Sequence, residues 1–212
     1  MIKAIIFDYD GVISESVNVK TEAFAEMYSQ YGKAIENKVV EHHLANGGMS
    51  RFEKFKIYHE KYLGQIINKS VIDELSKTFS NIVLQKVISA PYVKGAYEFL
   101  SKNYQKFDFH ISTGTPTAEI DTILIEKNIR HFFKKVYGSP EKKTSHVSKI
   151  LREYNYQKNE VVFIGDAIAD RDAARKNGIE FIGRFTTCAE IKEEKKLISE
   201  YTELPFFLNI NK

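Results

Sequence analysis

Ala4-Ile5-Ile6-Phe7-Asp8-Tyr9-Asp10-Gly11-Val12 begins as a short apolar run and breaks on two acidic residues and a glycine. Residues 4–7 read as a strand, and Gly11 supplies a turn where the chain must leave a sheet. Similar runs recur at residues 107–111, 136–137, 161–164 and 181–182. Between the later runs the apolar residues take helical spacing, as in Ala96, Phe99 and Leu100, in Ile120, Ile123 and Leu124, and in Val147, Ile150, Leu151 and Tyr154. Strands alternating with helices imply parallel pairing, and the unbroken run Val161-Val162-Phe163-Ile164 suits a strand covered on both faces. The fold class that follows is α/β, a Rossmann-like doubly wound parallel sheet.

Roughly 95 residues separate the first run from the second, far too many for one crossover. They contain helical patterns instead: Val17, Phe24, Tyr28 and Tyr31; then Phe52, Phe55 and Tyr62; then Ile72, Leu75, Phe79 and Ile82. An inserted α-helical cap domain is therefore expected at residues 15–88, within a core domain of residues 1–14 and 89–212. Pro91 and Gly95 punctuate the return. Near the C-terminus, Lys192-Glu193-Glu194-Lys195-Lys196 reads as a solvated helix face with Ile191 and Ile198 turned inward.

Composition narrows the function classes. A net charge of +3 over 212 residues is too small a surplus to indicate nucleic acid or a membrane surface as partner, though it suits a small anionic substrate. The single cysteine, Cys188, can close no internal disulfide and excludes zinc sites built on Cys pairs. Without a signal-like N-terminal segment or a membrane-length apolar run, the expectation is a cytoplasmic protein. The sequence carries no signature of oligomeric state.

Asp8 and Asp10 directly follow a strand, and ligands of open parallel sheets bind at strand carboxyl ends. Two carboxylates this close repel, so a hard cation such as Mg²⁺ would favour keeping both ionised. A solvated turn is the plainer explanation of the pair. A second acidic pair follows residues 161–164, in Gly165-Asp166-Ala167-Ile168-Ala169-Asp170. Asp166 could cap a helix and Asp170 could lie in its first turn, but two acidic pairs at two strand ends argue for one shared site.

The pattern Asp8-x-Asp10-Gly11-Val12 with Gly165-Asp166-x-x-x-Asp170 resembles the haloacid dehalogenase-like superfamily, and the resemblance extends from Ile2 to about Arg184. It implies a nucleophilic Asp8, a general acid and base Asp10, and a hydroxyl at Thr113, with Ser112 the neighbouring alternative. It also implies Gly114 as a backbone phosphate ligand and a phosphate-binding lysine at Lys143, or at Lys142 one residue earlier. Mg²⁺ would be held by Asp8, the Asp10 carbonyl and Asp166, with Asp170 bracing Lys143 or the metal shell. Asp10 separates the branches: dehalogenating members lack the second Asp and phosphonate-cleaving members carry Ala, so its presence favours phosphate esters. The implied activity is a Mg²⁺-dependent phosphatase acting on a small phosphorylated metabolite through an aspartyl-phosphate.

The insertion resembles the helical caps of phosphoglycolate phosphatases and β-phosphoglucomutases. Within it, His42-His43-Leu44-Ala45-Asn46-Gly47-Gly48-Met49-Ser50-Arg51 looks like a specificity loop, with His42 and His43 at the surface or a helix end. Arg51 is expected to bind the substrate's leaving group, the alternative being a surface arginine that starts the helix of Phe52 and Phe55. Gly48-Met49-Ser50-Arg51 also resembles the segment with which β-phosphoglucomutases grip a distal phosphate, which keeps a phosphosugar mutase as the alternative. Those mutases present a cap His to the second Asp. Here Lys20 stands at that place, which favours a plain hydrolase. A non-catalytic relative would be expected to lose Asp8 or Lys143, and this chain keeps both.

Overall fold

In the computed structural model, which describes residues 1–185 and 188–208, strand β1 (Ala4–Phe7) has no solvent exposure at any of its four positions. Alternation splits its side chains between two cores. Ile5 and Phe7 join the larger cluster, while Ala4 and Ile6 join a smaller one on the opposite face.

Four helices follow before the sheet resumes: α1 (Val17–Tyr28), α2 (Lys33–Ala45), α3 (Arg51–Ile57), which runs on into a π-helical turn at Tyr58–Leu63, and α4 (Lys69–Ser89). Then α5 (Ala96–Asn103) leads into β2 (Asp108–Pro116), and strands and helices alternate as α6 (Thr117–Glu126), β3 (Phe133–Ser139), α7 (Lys143–Glu153), β4 (Val161–Gly165), α8 (Ile168–Asn177) and β5 (Glu180–Arg184). A short α9 (Ala189–Lys192), a two-residue β6 (Leu197–Ile198) and α10 (Leu204–Leu208) complete the described chain. The six strands form one parallel sheet in the order β3-β2-β1-β4-β5-β6.

Phe7 is paired with Ile111 on one side and Ile164 on the other, so β1 and β4 end at nearly one level while β2 runs on to Pro116. The Asp8 N–H extends the β1–β4 ladder, donating to the Ile164 carbonyl at 3.0 Å.

The helical insertion has an aromatic centre. The Phe24 ring lies within 4.4–5.7 Å of His43, Phe55, Tyr58 and Phe79, drawing together α1, α2, α3 with its π-helical continuation, and α4. Its exit is held by Lys127, whose ammonium donates to the carbonyls of Ile88 at 2.9 Å and Ala90 at 2.8 Å.

Two sequence expectations change. The insertion holds four helices rather than three, because α2 buries only Val39 and His43 and so presents too narrow an apolar stripe to be read as periodic. The predicted helix through residues 192–198 stops at Lys192. Ile191 and Ile198 are both fully buried as expected, but Ile198 reaches the core from β6.

Phe109 has no solvent exposure and contacts the rings of Phe7 at 5.2 Å and Phe99 at 6.0 Å. Phe109→Ala is expected to lower unfolding free energy by about 3–5 kcal/mol in urea titration, and a loss under about 1 kcal/mol would show that this cluster does not carry the sheet.

Candidate active site

The ends of β1 and β4 and the first turns of α7 and α8 deliver four side chains to one point: Asp8, Asp166, Lys143 and Asp170. The Lys143 ammonium lies 2.8 Å from Asp8 Oδ2 and 2.6 Å from Asp170 Oδ1. All three are buried, Lys143 to 6 % exposure, Asp8 to 3 % and Asp170 to none. Burial works against the lysine charge, yet Asp170 and Asp8 hold its pKa above the ordinary lysine value. Carboxylate oxygens of Asp8, Asp166 and Asp170 lie within 4.8 Å of one another. Burial, reinforced by Asp8 and Asp170, pushes the Asp166 carboxyl well above its ordinary range, and burial lifts Asp170 to about 7 despite the pull of Lys143. An all-oxygen donor set with more negative charge than Lys143 can offset fits a hard divalent cation such as Mg²⁺.

Asp170 lies in the first turn of α8. One of its oxygens accepts from Lys143, the other from the Ala167 N–H at 3.1 Å. Asp166 precedes Ala167, the residue that flanks the helix, so it is not the cap considered from sequence. On β2, the Ser112 hydroxyl is 2.9 Å from His146 Nδ1, whereas Thr113, 1 % exposed, lines the pocket and accepts from the Thr115 N–H at 3.2 Å. On α7, Lys143 is the inward lysine, and Lys142 is exposed, 3.9 Å from Glu53. Thr113 and Lys143 thus face the site, and Ser112 and Lys142 have partners elsewhere.

Asp10 has its own partners. One oxygen accepts from Ser16 at 2.7 Å, and the other accepts from the Lys20 ammonium and from the Thr115 hydroxyl at 3.2 Å. Lys20 also donates to the Thr115 hydroxyl at 2.6 Å. Burial opposes ionisation here, but Lys20, Ser16 and Thr115 together hold the Asp10 carboxyl below its ordinary pKa.

The helical insertion covers the pocket. A Cβ added to Gly114 would meet the Gly48 carbonyl oxygen at 2.9 Å, and one added to Gly48, whose φ is +75°, would come within 3.1 Å of the Lys143 ammonium. Larger residues at either position would push the covering loop off the strand ends.

Arg51 departs from expectation. It is the first residue of α3 and lines the pocket, but its guanidinium is 4 % exposed and donates to both Glu119 oxygens on α6, at 2.5 and 2.8 Å, and to the Ser80 hydroxyl at 2.7 Å. Its planar fork is matched to a carboxylate of the core, so the arginine ties α3 to α6 rather than offering that face to a leaving group.

Sequence reasoning passed over Lys54 and placed His43 at the surface or a helix end. His43 does lie in the last turn of α2, but both residues are buried pocket residues, with Lys54 Nζ 2.8 Å from His43 Nδ1. The signal was present: Arg51, Lys54, Phe55 and Tyr58 share one helical stripe, and all four are buried. His42, beside His43, is half-buried and packs against Tyr58 at 5.3 Å.

The description "haloacid dehalogenase-like hydrolase" matches residues 5–184. A curated relative from Thermotoga maritima named phosphorylated carbohydrates phosphatase is 26 % identical over 189 residues, covering 85 % of this chain and 83 % of its own. Among solved structures, a β-phosphoglucomutase from Clostridium difficile superposes with a TM-score of 0.80 at 18 % identity, covering 99 % of this chain and 96 % of its own. A protein described as a predicted phosphoglycolate phosphatase from Haemophilus somnus gives 0.76 at 17 % identity, covering 100 % and 98 %. With the strand order, the acidic strand ends and the inward lysine all in place, the chain belongs to the haloacid dehalogenase-like hydrolase family.

Proposed function

We propose that this protein is a Mg²⁺-dependent phosphatase that hydrolyses a small phosphorylated metabolite, a carbohydrate phosphate in the first instance, through an aspartyl-phosphate on Asp8. The observation that carries this reading is the buried Lys143 ammonium 2.8 Å from Asp8, at a strand-end mouth lined by Thr113 and Gly114. The name of the Thermotoga maritima relative supports the carbohydrate class. Residues 15–88 act as the cap over a core of residues 1–14 and 89–212.

Asp8 attacks phosphorus, the bond from phosphorus to the ester oxygen breaks, and Asp10, which must first take up a proton from solvent against the pull of Lys20, Ser16 and Thr115, delivers it to the departing alkoxide. Water then attacks the same phosphorus while Asp10 takes its proton, and the bond to Asp8 breaks to release phosphate. Lys143, the Thr113 hydroxyl and the Gly114 N–H hold phosphoryl oxygens as charge develops. Asp170 orients Lys143, and Ser16, Lys20 and Thr115 orient Asp10. Bound Mg²⁺, with Asp8, the Asp10 carbonyl and Asp166 as ligands and Asp170 behind them, would offset the charge that a phosphoryl group adds to this acidic site. The engaged Arg51 fork favours hydrolysis over the mutase alternative, because its bidentate face is already spent on Glu119.

Asp8→Asn is expected to abolish phosphate release from p-nitrophenyl phosphate while circular dichroism stays native, and a variant as active as the parent would overturn the nucleophile assignment. Chelation should remove turnover and Mg²⁺ should restore it; Asp166→Ala should raise the Mg²⁺ concentration needed for half-activation, a shift absent if Asp166 is not a ligand. Arg51→Ala and Glu119→Ala should lower kcat/KM for an aryl phosphate and a sugar phosphate in parallel, each by roughly tenfold or more, as expected for loosened closure. A loss confined to the sugar phosphate in Arg51→Ala would return that residue to leaving-group binding.

A further inference from the structure

Cations crowd this pocket, and their partners are unequal. Among the described lining residues, Lys20 is paired with Asp10 and Arg51 with Glu119, while Lys54 has no carboxylate at ion-pair distance. Its ammonium is held by His43 instead, through Nδ1 at 2.8 Å and the carbonyl at 3.5 Å, with the Phe24 ring 5.7 Å away. Lys54 is only 2 % exposed. A buried ammonium facing a neutral imidazole and an aromatic ring is stabilised far less than one facing a carboxylate.

The surroundings keep it that way. Burial, reinforced by Lys54, drives His43 down to about 2, so the imidazole is neutral and its Nδ1 lone pair accepts from the lysine. Burial and the Lys20 charge pull Lys54 down to about 7. An arriving anion would supply the missing counter-charge and accept the N–H groups that His43 leaves free. Position supports this use: Phe24, His43 and Lys54 of the insertion line the same pocket as Asp8 and Asp10, so in the proposed reaction the leaving group lies between the ester oxygen at Asp10 and this wall.

We propose that Lys54, held by His43, is a specificity-determining residue, and that the preferred substrates carry a second anionic group, carboxylate or phosphate, on the leaving-group side of the scissile ester. The inference rests on the phosphatase reading above and deepens it. Lys54 acts as a compact point charge, so it selects for charge at that place rather than for the planar geometry an arginine would read.

The test measures kcat/KM for phosphate release on two carbon skeletons, each with a neutral reference. On two carbons, 2-hydroxyethyl phosphate is compared with 2-phosphoglycolate and with ethylene glycol bisphosphate. On the sugar skeleton, glucose 6-phosphate is compared with 6-phosphogluconate and with glucose 1,6-bisphosphate. The native protein should favour an anionic member over its neutral reference by about tenfold or more on at least one skeleton, and the carboxylate and phosphate arms identify which anion is read. Lys54→Met should remove about tenfold of that preference, and Lys54→Arg should restore part of it. Neutral esters equal to or better than anionic ones on both skeletons would overturn the proposal, as would a preference that survives in Lys54→Met. The comparison in the native protein decides the first point without any variant, and Lys54→Gln substitutes if Lys54→Met does not fold. p-Nitrophenyl phosphate separates the two levels: turnover of it without anionic preference removes Lys54's role alone, whereas no turnover of any ester removes the phosphatase reading with it.

Discussion

A buried lysine clasped between two buried carboxylates constrains everything around it. Lys143 can remain charged without solvent only because Asp8 and Asp170 each come within hydrogen-bonding distance. Asp8 follows β1 and Asp170 lies in the first turn of α8, after β4, and they meet only because β4 lies directly beside β1 in the sheet order. The same register brings in Asp166, which tips the local balance to excess negative charge. The centre is thus a compact charge cluster short of positive charge, and in the proposed reaction a further cation would offset the charge that a phosphoryl group brings to it.

Closure follows a similar economy. The glycine loop reaches the strand ends because neither Gly48 nor Gly114 has a side chain to hold the surfaces apart. Behind it, Arg51 and Glu119 join α3 to α6 through a bidentate pair, with the guanidinium 4.5 Å over the Phe79 ring. A buried ion pair adds little net stability relative to a hydrophobic replacement, but breaking it strands a charge. Such a contact favours one seating of the helices over many loose ones. It therefore fixes how the insertion sits over the pocket, as the proposed cap role requires.

The core of the fold was legible because its signals are local and repeated. Ala4 to Phe7 and Val161 to Ile164 are unbroken apolar runs, and the acidic residues that end them stand out against strand composition. Thr113 and Lys143 could be placed only to within one residue, since nothing in Ser112-Thr113 or Lys142-Lys143 says which side chain turns inward. That choice depends on pairing across the sheet and on His146, which lies 34 residues from Ser112 and engages its hydroxyl. The helical insertion was harder to read. α2 carries a thin apolar stripe, and β6 is two residues long, too short for alternation to register. The partners of the buried cations in the insertion were not legible for a general reason: Glu119, which engages Arg51, and His43, which holds Lys54, lie 68 and 11 residues away along the chain.

The two halves of the pocket divide recognition by how each cation is satisfied. In the core, Lys143 has two carboxylate partners, so its position is fixed before any ligand arrives and it suits the part of the substrate that never varies. In the insertion, Lys54 leans on a neutral imidazole that burial keeps unprotonated, and the Asp10 charge acts on it only from beyond ion-pair distance, so a ligand anion would be its first direct counter-ion. A preorganised group stabilises developing charge at little reorganisation cost, whereas an unsatisfied one discriminates, because ligands lacking the complementary charge leave it stranded. Chemistry and selectivity can then change separately at Lys54: it is not one of the Asp8–Lys143–Asp170 cluster, whereas Arg51, on the same helix, serves closure and would affect both.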